Sequence, residues 1–548
     1  MSMANFIVTV SLALLTAVGY GLYVGYHHRR RIYRLRQQGM AMPEWSWITG
    51  HLLVLNKYLK TLPRDVSVNL AVRDLALEYG ATEIFLLDMW PVYPAELVVY
   101  DPDAAIQITS KWNLPKTEKF AHAMTPITGG PSLVAMGGIE WKRWRALFNP
   151  GFSAASMTDL VPSIVDSAQV FCDKLRDRAG KGLFLLDDLT TRLTMDVILK
   201  VTLDADLDYQ RSDNPLATAL NKVTTWHSFW DPRILAHPLR PFIQCYYGSI
   251  MDRYIRTELD KRFSEAYDSP KRGKSVISLA LEAYRTTNDE TQSPDRLDEA
   301  FARYATHQIR LFLFAGNDTT SSTIVYVYHL LSQHPHVLAR LRSEHDTVFG
   351  TDPDPSATLR ARPALLNDCT YTTAVIKETL RLYPPAATLR QGSSDYTLTD
   401  RHGTTYPTDG LATLVLHHAS HANPRVWPRP TEFLPQRFLV PETHPLHPVP
   451  GAYRPFEHGP RACIGRSLVF GEIQVVLALT VRRFDVAPAY EEWDAVQSGR
   501  WMGMGMNDGV KTVWEDRAYQ TDRAGTHPAD GYPCQVVARD IVNTDLFM

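Results

Sequence analysis

Phe456-Glu457-His458-Gly459-Pro460-Arg461-Ala462-Cys463-Ile464-Gly465 is the stretch on which the reading of this chain turns. The apolar residues after it (Leu468, Val469, Ile473, Val476, Leu477, Leu479) recur at helical spacing, so Cys463 lies where a loop feeds a helix N-terminus. Unpaired N–H groups and the positive end of a helix dipole stabilise a thiolate there. Gly459 and Gly465 let the backbone approach something flat, because a Cβ at either position would meet it. Arg461 adds a cation that does not titrate, suited to an anionic group on the same object. A zinc site is disfavoured, since no Cys or His pair stands nearby at ligand spacing.

Working outward, residues from about 297 to 331 form a long apolar helix interrupted by Ala315-Gly316-Asn317-Asp318-Thr319-Thr320, a run poor in helix formers. Thr319 stacks one turn after Ala315, and its hydroxyl can bond back to the i−4 carbonyl. Glu378 and Arg381 stand one turn apart just before Pro384-Pro385 stops a helix, and Pro435-Gln436-Arg437-Phe438 follows. Upstream, Trp141 and Arg145 are four apart and share one helix face; spacing alone reads as a solvated basic helix with a packed Trp, although an indole N–H beside a guanidinium also suits a carboxylate. Residues 84–88 and 96–100 read as a hairpin, Asp101-Pro102 as a helix start, and 396–398 and 411–416 as short strands. Arg483-Phe484-Asp485 opens a final β region with a turn at 507–509, and residues 288–290 read as a surface loop. No pattern is evident beyond about residue 513.

The whole chain has 548 residues, a net charge of −2 and an ordinary globular composition, so nothing directs it to nucleic acid or an acidic substrate. Its five cysteines (Cys172, Cys245, Cys369, Cys463, Cys534) are scattered, which fits a reducing compartment without a disulfide framework. Residues 5–26 carry no charge and, at about 1.5 Å per residue, span roughly 33 Å, enough to cross a bilayer core. Arg29, Arg30, Arg31, Arg34 and Arg36 follow at once, which keeps the remainder cytosolic and argues against a cleaved signal peptide. The expected division is a transmembrane signal anchor at 1–28, a basic and aromatic linker at 29–50 (Pro43, Trp45, Trp47), and one domain at 51–548.

These motifs, in this order, resemble the cytochrome P-450 family, whose haem-binding signature Phe-x-x-Gly-x-Arg-x-Cys-x-Gly is matched at every fixed position. The resemblance covers about residues 45–513. It implies a mainly α fold with small β-sheets, preceded by a single N-terminal transmembrane helix, and makes the 51–548 domain a haem-thiolate catalytic domain. It implies haem b with iron ligated by the Cys463 thiolate, and cofactor-binding roles for Phe456, Gly459, Arg461 and Gly465. Arg461, Trp141, Arg145 and Arg390 are expected at the propionates, Ala315 and Gly316 at a notch for dioxygen, and Asp318 and Thr319 in catalysis. Glu378, Arg381 and Arg437 are expected to lock the haem loop, and Lys142 and Arg143 to face an electron donor.

The implied reaction is monooxygenation of a lipophilic small molecule with O₂ and electrons from NADPH, delivered by a flavoprotein reductase. The implied setting is specialised metabolism at the endoplasmic reticulum membrane, single-pass, in contact with membrane lipid, the catalytic domain facing the cytosol, with no nucleic-acid partner. Residues near 120–134, Phe312 and Ala386 to Leu389 are expected at an apolar pocket. Trp226, Phe229 and Trp230 line a channel, dip into the membrane or simply pack a helix end. Two other readings stay open. One is a haem-thiolate isomerase or dehydratase needing no external electrons, although such branches usually lose the Asp-Thr pair. The other is a non-catalytic membrane haem carrier or sensor, which needs neither the distal notch nor a basic face.

Overall fold

Apolar residues at helical spacing carry most of the chain into helices, and short β-branched runs form three small sheets. The computed structural model describes residues 3–80, 82–229, 231–268, 275–287, 297–500, 510–523 and 525–539. Trp230, the loop expected at 288–290 and the turn expected at 507–509 therefore lie outside the described residues. The helices that position the site are α1 (Met3–Gln37), α2 (Gly138–Phe148), α3 (Ala154–Arg178), α4 (Leu186–Leu203), α5 (Glu299–Gln333), α6 (Thr370–Leu382) and α7 (Arg466–Thr480). The main core lies between α3, α4, α5 and α7, where Phe171, Leu193, Leu313 and Leu477 are fully buried.

Strands β1 (Ile84–Leu87) and β2 (Glu96–Val99) form the expected antiparallel hairpin. With β4 (Thr388–Gln391) and β7 (Ala412–Val415) they build a four-stranded sheet in the order β1-β2-β7-β4, in which β2 and β7 run parallel. Phe85 and Val98 pack on one face and Ile84 and Leu97 on the other, so both faces are covered and the strands read as unbroken apolar runs. Asp101 caps the next helix, its carboxylate accepting from the Ala104 N–H at 2.8 Å. A two-stranded ribbon pairs β5 (Thr397–Thr399) with β6 (Thr405–Pro407). In the third sheet, β9 (Pro533–Ala538) lies between β3 (Phe184–Leu185) and β8 (Phe484–Pro488). The patternless tail thus supplies a central strand.

Two expectations are corrected. The basic stretch expected to begin a linker at residue 29 continues α1 and docks on the domain. Asp88 is buried and takes Arg29, the His28 ring at 2.8 Å and the Trp45 indole N–H at 2.9 Å. Burial opposes its charge, yet His28, Trp45 and Arg29 hold its pKa down at about 2. Trp45 is therefore buried, whereas Trp47 stays exposed. Helix α5, expected to be interrupted, runs unbroken, capped by Asp298 on the Phe301 N–H at 2.8 Å. The Thr194 hydroxyl donates to Asn317 Oδ1 at 2.6 Å and the Thr319 hydroxyl to the Ala315 carbonyl at 2.8 Å, so side chains satisfy the run that propensity disfavours.

Glu378 and Arg381 meet on α6 in a bidentate pair at 2.7 and 2.8 Å, and Arg437 reaches the same carboxylate at 3.1 Å. All three side chains are at most 1% exposed. The two guanidiniums also bind carbonyls of His421, Pro428, Arg429, Pro430 and Glu432, tying down the segment that leads to Cys463. Arg437→Ala leaves this buried network incomplete and is expected to cost about 3–5 kcal/mol in urea unfolding. A loss below about 1 kcal/mol would show that the cluster does not hold the fold.

Candidate active site

The Cys463 N–H donates to the Phe456 carbonyl at 2.8 Å and the Ala462 N–H to the Gly459 carbonyl at 3.0 Å, closing the loop before α7. The backbone N–H groups of Gly465 and Arg466 reach the sulfur, as the helix N-terminus requires. Burial nevertheless pushes the thiol above its ordinary pKa, while the Cys463 side chain keeps exposed surface. A cysteine set among many protein atoms and still uncovered has room beside it for a further group. A metal ion bound there would deprotonate it outright.

The two glycines have different neighbours. Gly459 has φ +83°, and a Cβ on it would lie 2.3 Å from the Thr109 carbonyl oxygen. Its freedom therefore serves contact with the protein's own backbone. Gly465 is the one beside the site, where a Cβ would stand 3.9 Å from Cys463 Sγ. Phe456 is half-buried, its ring 5.5 Å from that of Phe470.

Cations crowd one side of this space. The Arg461 guanidinium lies 4.5 Å over the Trp141 ring, and its Nε has no partner. Arg390, on β4, is 1% exposed; it donates to the Leu114 carbonyl at 3.1 Å and its Nε is also unpaired. Burial and then the Arg461 charge lower Arg390 to about 10, and burial and then Arg390 lower Lys116 to about 7. Glu457 is the acid that opposes them, but it is already engaged by Arg454 and by the His417 ring at 3.3 Å. Three cations held together with so little compensation require an anion, and a haem supplies both what they lack and what the sulfur lacks: two carboxylates and a metal. The residues fit the group.

Trp141 and Arg145 do share a face of α2, but the clamp is turned on the loop. Arg145 donates to the Ala462 carbonyl at 2.9 Å and to Asn149 Oδ1 at 2.8 Å, and Trp141 supports Arg461. Arg145 thereby also holds the residue next to Cys463. Lys116, Arg454 and Glu457 carry no motif in the sequence. Only their fold-dependent meeting marks them.

The other expected part of the site is on α5, which is buried from residue 308 to 331 except at Phe314, Ala315, Gly316 and Thr319. Ala315 and Thr319, one turn apart, make a small open stripe. A Cβ on Gly316 would be 2.7 Å from Ile198 Cδ1, so the glycine lets α4 pack close. Asp318 turns towards the C-terminal segment, where His527 Nε2 lies 2.9 Å from its Oδ1. Phe312, expected at the pocket, is buried edge-on against Phe148 and Phe152. Phe120 and Phe229 stack at 6.0 Å, both half-buried.

Known proteins share this outline. A family model described as Cytochrome P-450 matches residues 40–506. The chain is 39% identical over 544 residues to cytochrome P-450 monooxygenase polC of Polytolypa hystricis, covering 97% of this chain and 96% of that protein. It is 33% identical to cytochrome P-450 monooxygenase acrF of Aspergillus aculeatus, covering 87% and 99%. The heme domain of cytochrome P-450DA superposes with a TM-score of 0.68 at 21% identity, over 91% of this chain and 98% of that one, a likeness of fold.

Gly459→Ala puts a Cβ into the Thr109 carbonyl at a strained φ and is expected to cost about 1–3 kcal/mol in thermal or urea unfolding. Gly465→Ala, with φ −82° and ordinary clearance, is expected to unfold like the parent. Equal losses would refute the assignment of Gly459 to protein packing.

Proposed function

This chain belongs to the cytochrome P-450 family and is a monooxygenase that works with haem b, O₂, a redox partner and a small-molecule substrate; from that premise we infer how its own residues serve the reaction. Cys463 is the thiolate ligand of the iron, and Arg461, Arg390 and Lys116 take the two propionates. When bound, the haem would supply the oxidative chemistry of the monooxygenase reaction, and Cys463 as a thiolate would donate electron density to it. Arg145 and Trp141 keep the ligand loop in place from beneath. Ala315 leaves room on the open stripe of α5, and the Thr319 hydroxyl, next to Asp318, holds a proton at that face. Positioned proton transfer of this kind contributes roughly 10²–10⁴-fold.

The observation that carries the reading is an exposed Cys463 just before α7, two residues after Arg461, which belongs to a group of under-compensated cations with Arg390 and Lys116; a thiolate ligand beside such cations suits a metal at the centre of a dianion. We take the substrate to be lipophilic, on the support of half-buried Phe120, Phe229 and Phe314. We take the electron donor to be an NADPH-dependent flavoprotein reductase. The setting we favour is specialised metabolism, supported by near full-length similarity to the fungal monooxygenases polC and acrF. The retained Asp318 and Thr319 argue against the isomerase reading.

The ferrous–CO complex is expected to absorb at the red-shifted position of thiolate-ligated haem, and Cys463→Ser to lose that band and activity. A histidine-type band in folded wild type would overturn the assignment. Thr319→Ala is expected to keep haem, the CO band and substrate affinity, yet to divert NADPH from product to hydrogen peroxide. Unchanged coupling would remove Thr319 from proton delivery, and turnover without NADPH would favour the isomerase.

We further propose that α1 is a single-pass anchor in the endoplasmic reticulum membrane with the catalytic domain in the cytosol. Its support is the long apolar stretch, unburied within the protein, followed by a basic flank. Removing residues 3–24 is expected to release the protein from membranes with its stability intact. A cut through Arg31 also removes Arg29 and His28, strands Asp88, and is expected to lower the melting temperature. Carbonate-resistant membrane binding of the shorter truncation would show a different anchor.

A further inference from the structure

A histidine from the C-terminal segment lies between two buried carboxylates beside the distal helix. His527 Nε2 is 2.9 Å from Asp318 Oδ1 on α5, and Nδ1 is 2.6 Å from Asp187 Oδ1 on α4. Its side chain is 5% exposed. A neutral imidazole has one N–H and can donate to only one of the acids; both are satisfied only by the cation. Burial opposes that charge, but Asp187 and Asp318 raise the ring to about 10. Arg523 is the other charged group at this cluster, its guanidinium 3.9 Å from Asp187 Oδ2.

Asp318 Oδ2, although buried, has no hydrogen-bond partner. The residue borders a cavity of about 30 Å³ that Thr191, Asn317, Arg523 and His527 also line. A water needs about 10–15 Å³ of such space, so one or two fit among these polar groups. Arg523 is 58% exposed, which leaves the cavity one side chain from solvent. The tail can lie this close because Gly525 has no Cβ; one would stand 2.1 Å from Asp318 Oδ2. The Thr521 N–H and hydroxyl, donating to the His527 carbonyl at 2.9 and 2.8 Å, close the turn that presents the ring.

We propose that His527 is the positioning residue of the proton supply: it pins Asp318 Oδ1 and leaves Oδ2 to exchange protons between cavity water at Arg523 and Thr319. The proposal rests on the reading of Asp318 and Thr319 given above. Monooxygenation, RH + O₂ + NADPH + H⁺ → ROH + H₂O + NADP⁺, draws protons from solvent. A proton that reaches Oδ2 from water leaves towards Thr319, while the imidazolium keeps its own and is not consumed.

His527→Gln keeps a donor but removes the charge. It is expected to retain haem, the CO band and the substrate-induced spectral shift, while hydrogen peroxide per NADPH rises several-fold. In His527→Gln/Asp187→Asn the buried acid of α4 is gone, so a purely structural tie predicts recovered coupling and the positioning role predicts none. Asp187→Asn alone, an isosteric change suited to the case in which His527→Gln takes up no haem, removes one of the acids that keep the ring charged. Its coupling is expected to fall between about pH 7 and 9, where the wild type stays level. Melting temperature reads the same group without turnover. Stability from the raised His527 is full below 6.5 and lost as pH climbs through about 10, so the wild-type advantage over His527→Gln should shrink across that range. Normal peroxide yield in His527→Gln, recovery in the double variant or a level profile in Asp187→Asn overturns the proposal, provided Thr319→Ala is uncoupled. A fully coupled Thr319→Ala instead sinks the earlier reading of that residue.

Discussion

One carboxylate, that of Glu378, governs the geometry of everything on the thiolate side. It is buried with two guanidiniums, and neither cation is tolerable there without it. Arg381 and Arg437 in turn hold five backbone carbonyls between residues 421 and 432. A segment with little regular structure of its own is therefore fixed by side chains. Arg454 continues the pattern downstream, binding Glu457 and the Thr109 hydroxyl at 2.8 Å, so the loop reaches Cys463 in a defined register. A network of this kind is costly when incomplete, which makes it specific.

Past that network the electrostatics reverse. Around Glu378 the two guanidiniums are satisfied by one carboxylate and five carbonyls; around Arg390, Arg461 and Lys116 the cations lack such a set of partners. Like charges in a low-dielectric setting destabilise a fold unless a ligand neutralises them. The dianionic cofactor thus belongs to the energetics of this region as well as to its chemistry, because it binds the folded arrangement and not the unfolded chain. The same logic appears in apolar form on α5, where an otherwise buried helix is left open at Ala315 and Thr319.

The far ends of the chain join the domain by buried ion pairs. Asp88 accepts the docked end of α1, and Asp187 with Asp318 accepts His527. The basic end of α1 is thereby held against the turn that joins the two strands of the hairpin. Gly25 lies so close to Trp90 that a Cβ would be 2.7 Å from the indole, and Ile32 is fully buried, so the contact is packed as well as charged.

Local chemistry makes several features legible in the amino-acid sequence itself. Apolar spacing marks α1, α5 and α7; Pro384 and Asp101 mark a helix stop and a helix start; and the glycine-flanked Cys463 with Arg461 marks the site. These signals lie within a few turns of chain, where periodicity and caps act. The roles that sequence does not reveal depend on partners far along the chain. Gly459 answers to Thr109, Gly316 to Ile198, Arg29 to Asp88 and His527 to Asp187, and no local pattern encodes such a partner. Arg145 shows the boundary between the two. Its face of the helix follows from spacing, but what it grips there, the Ala462 carbonyl, is decided by how the loop packs against α2. Sequence determined the elements and the reactive sulfur; tertiary packing, by choosing which buried charges meet, decided which residues serve it.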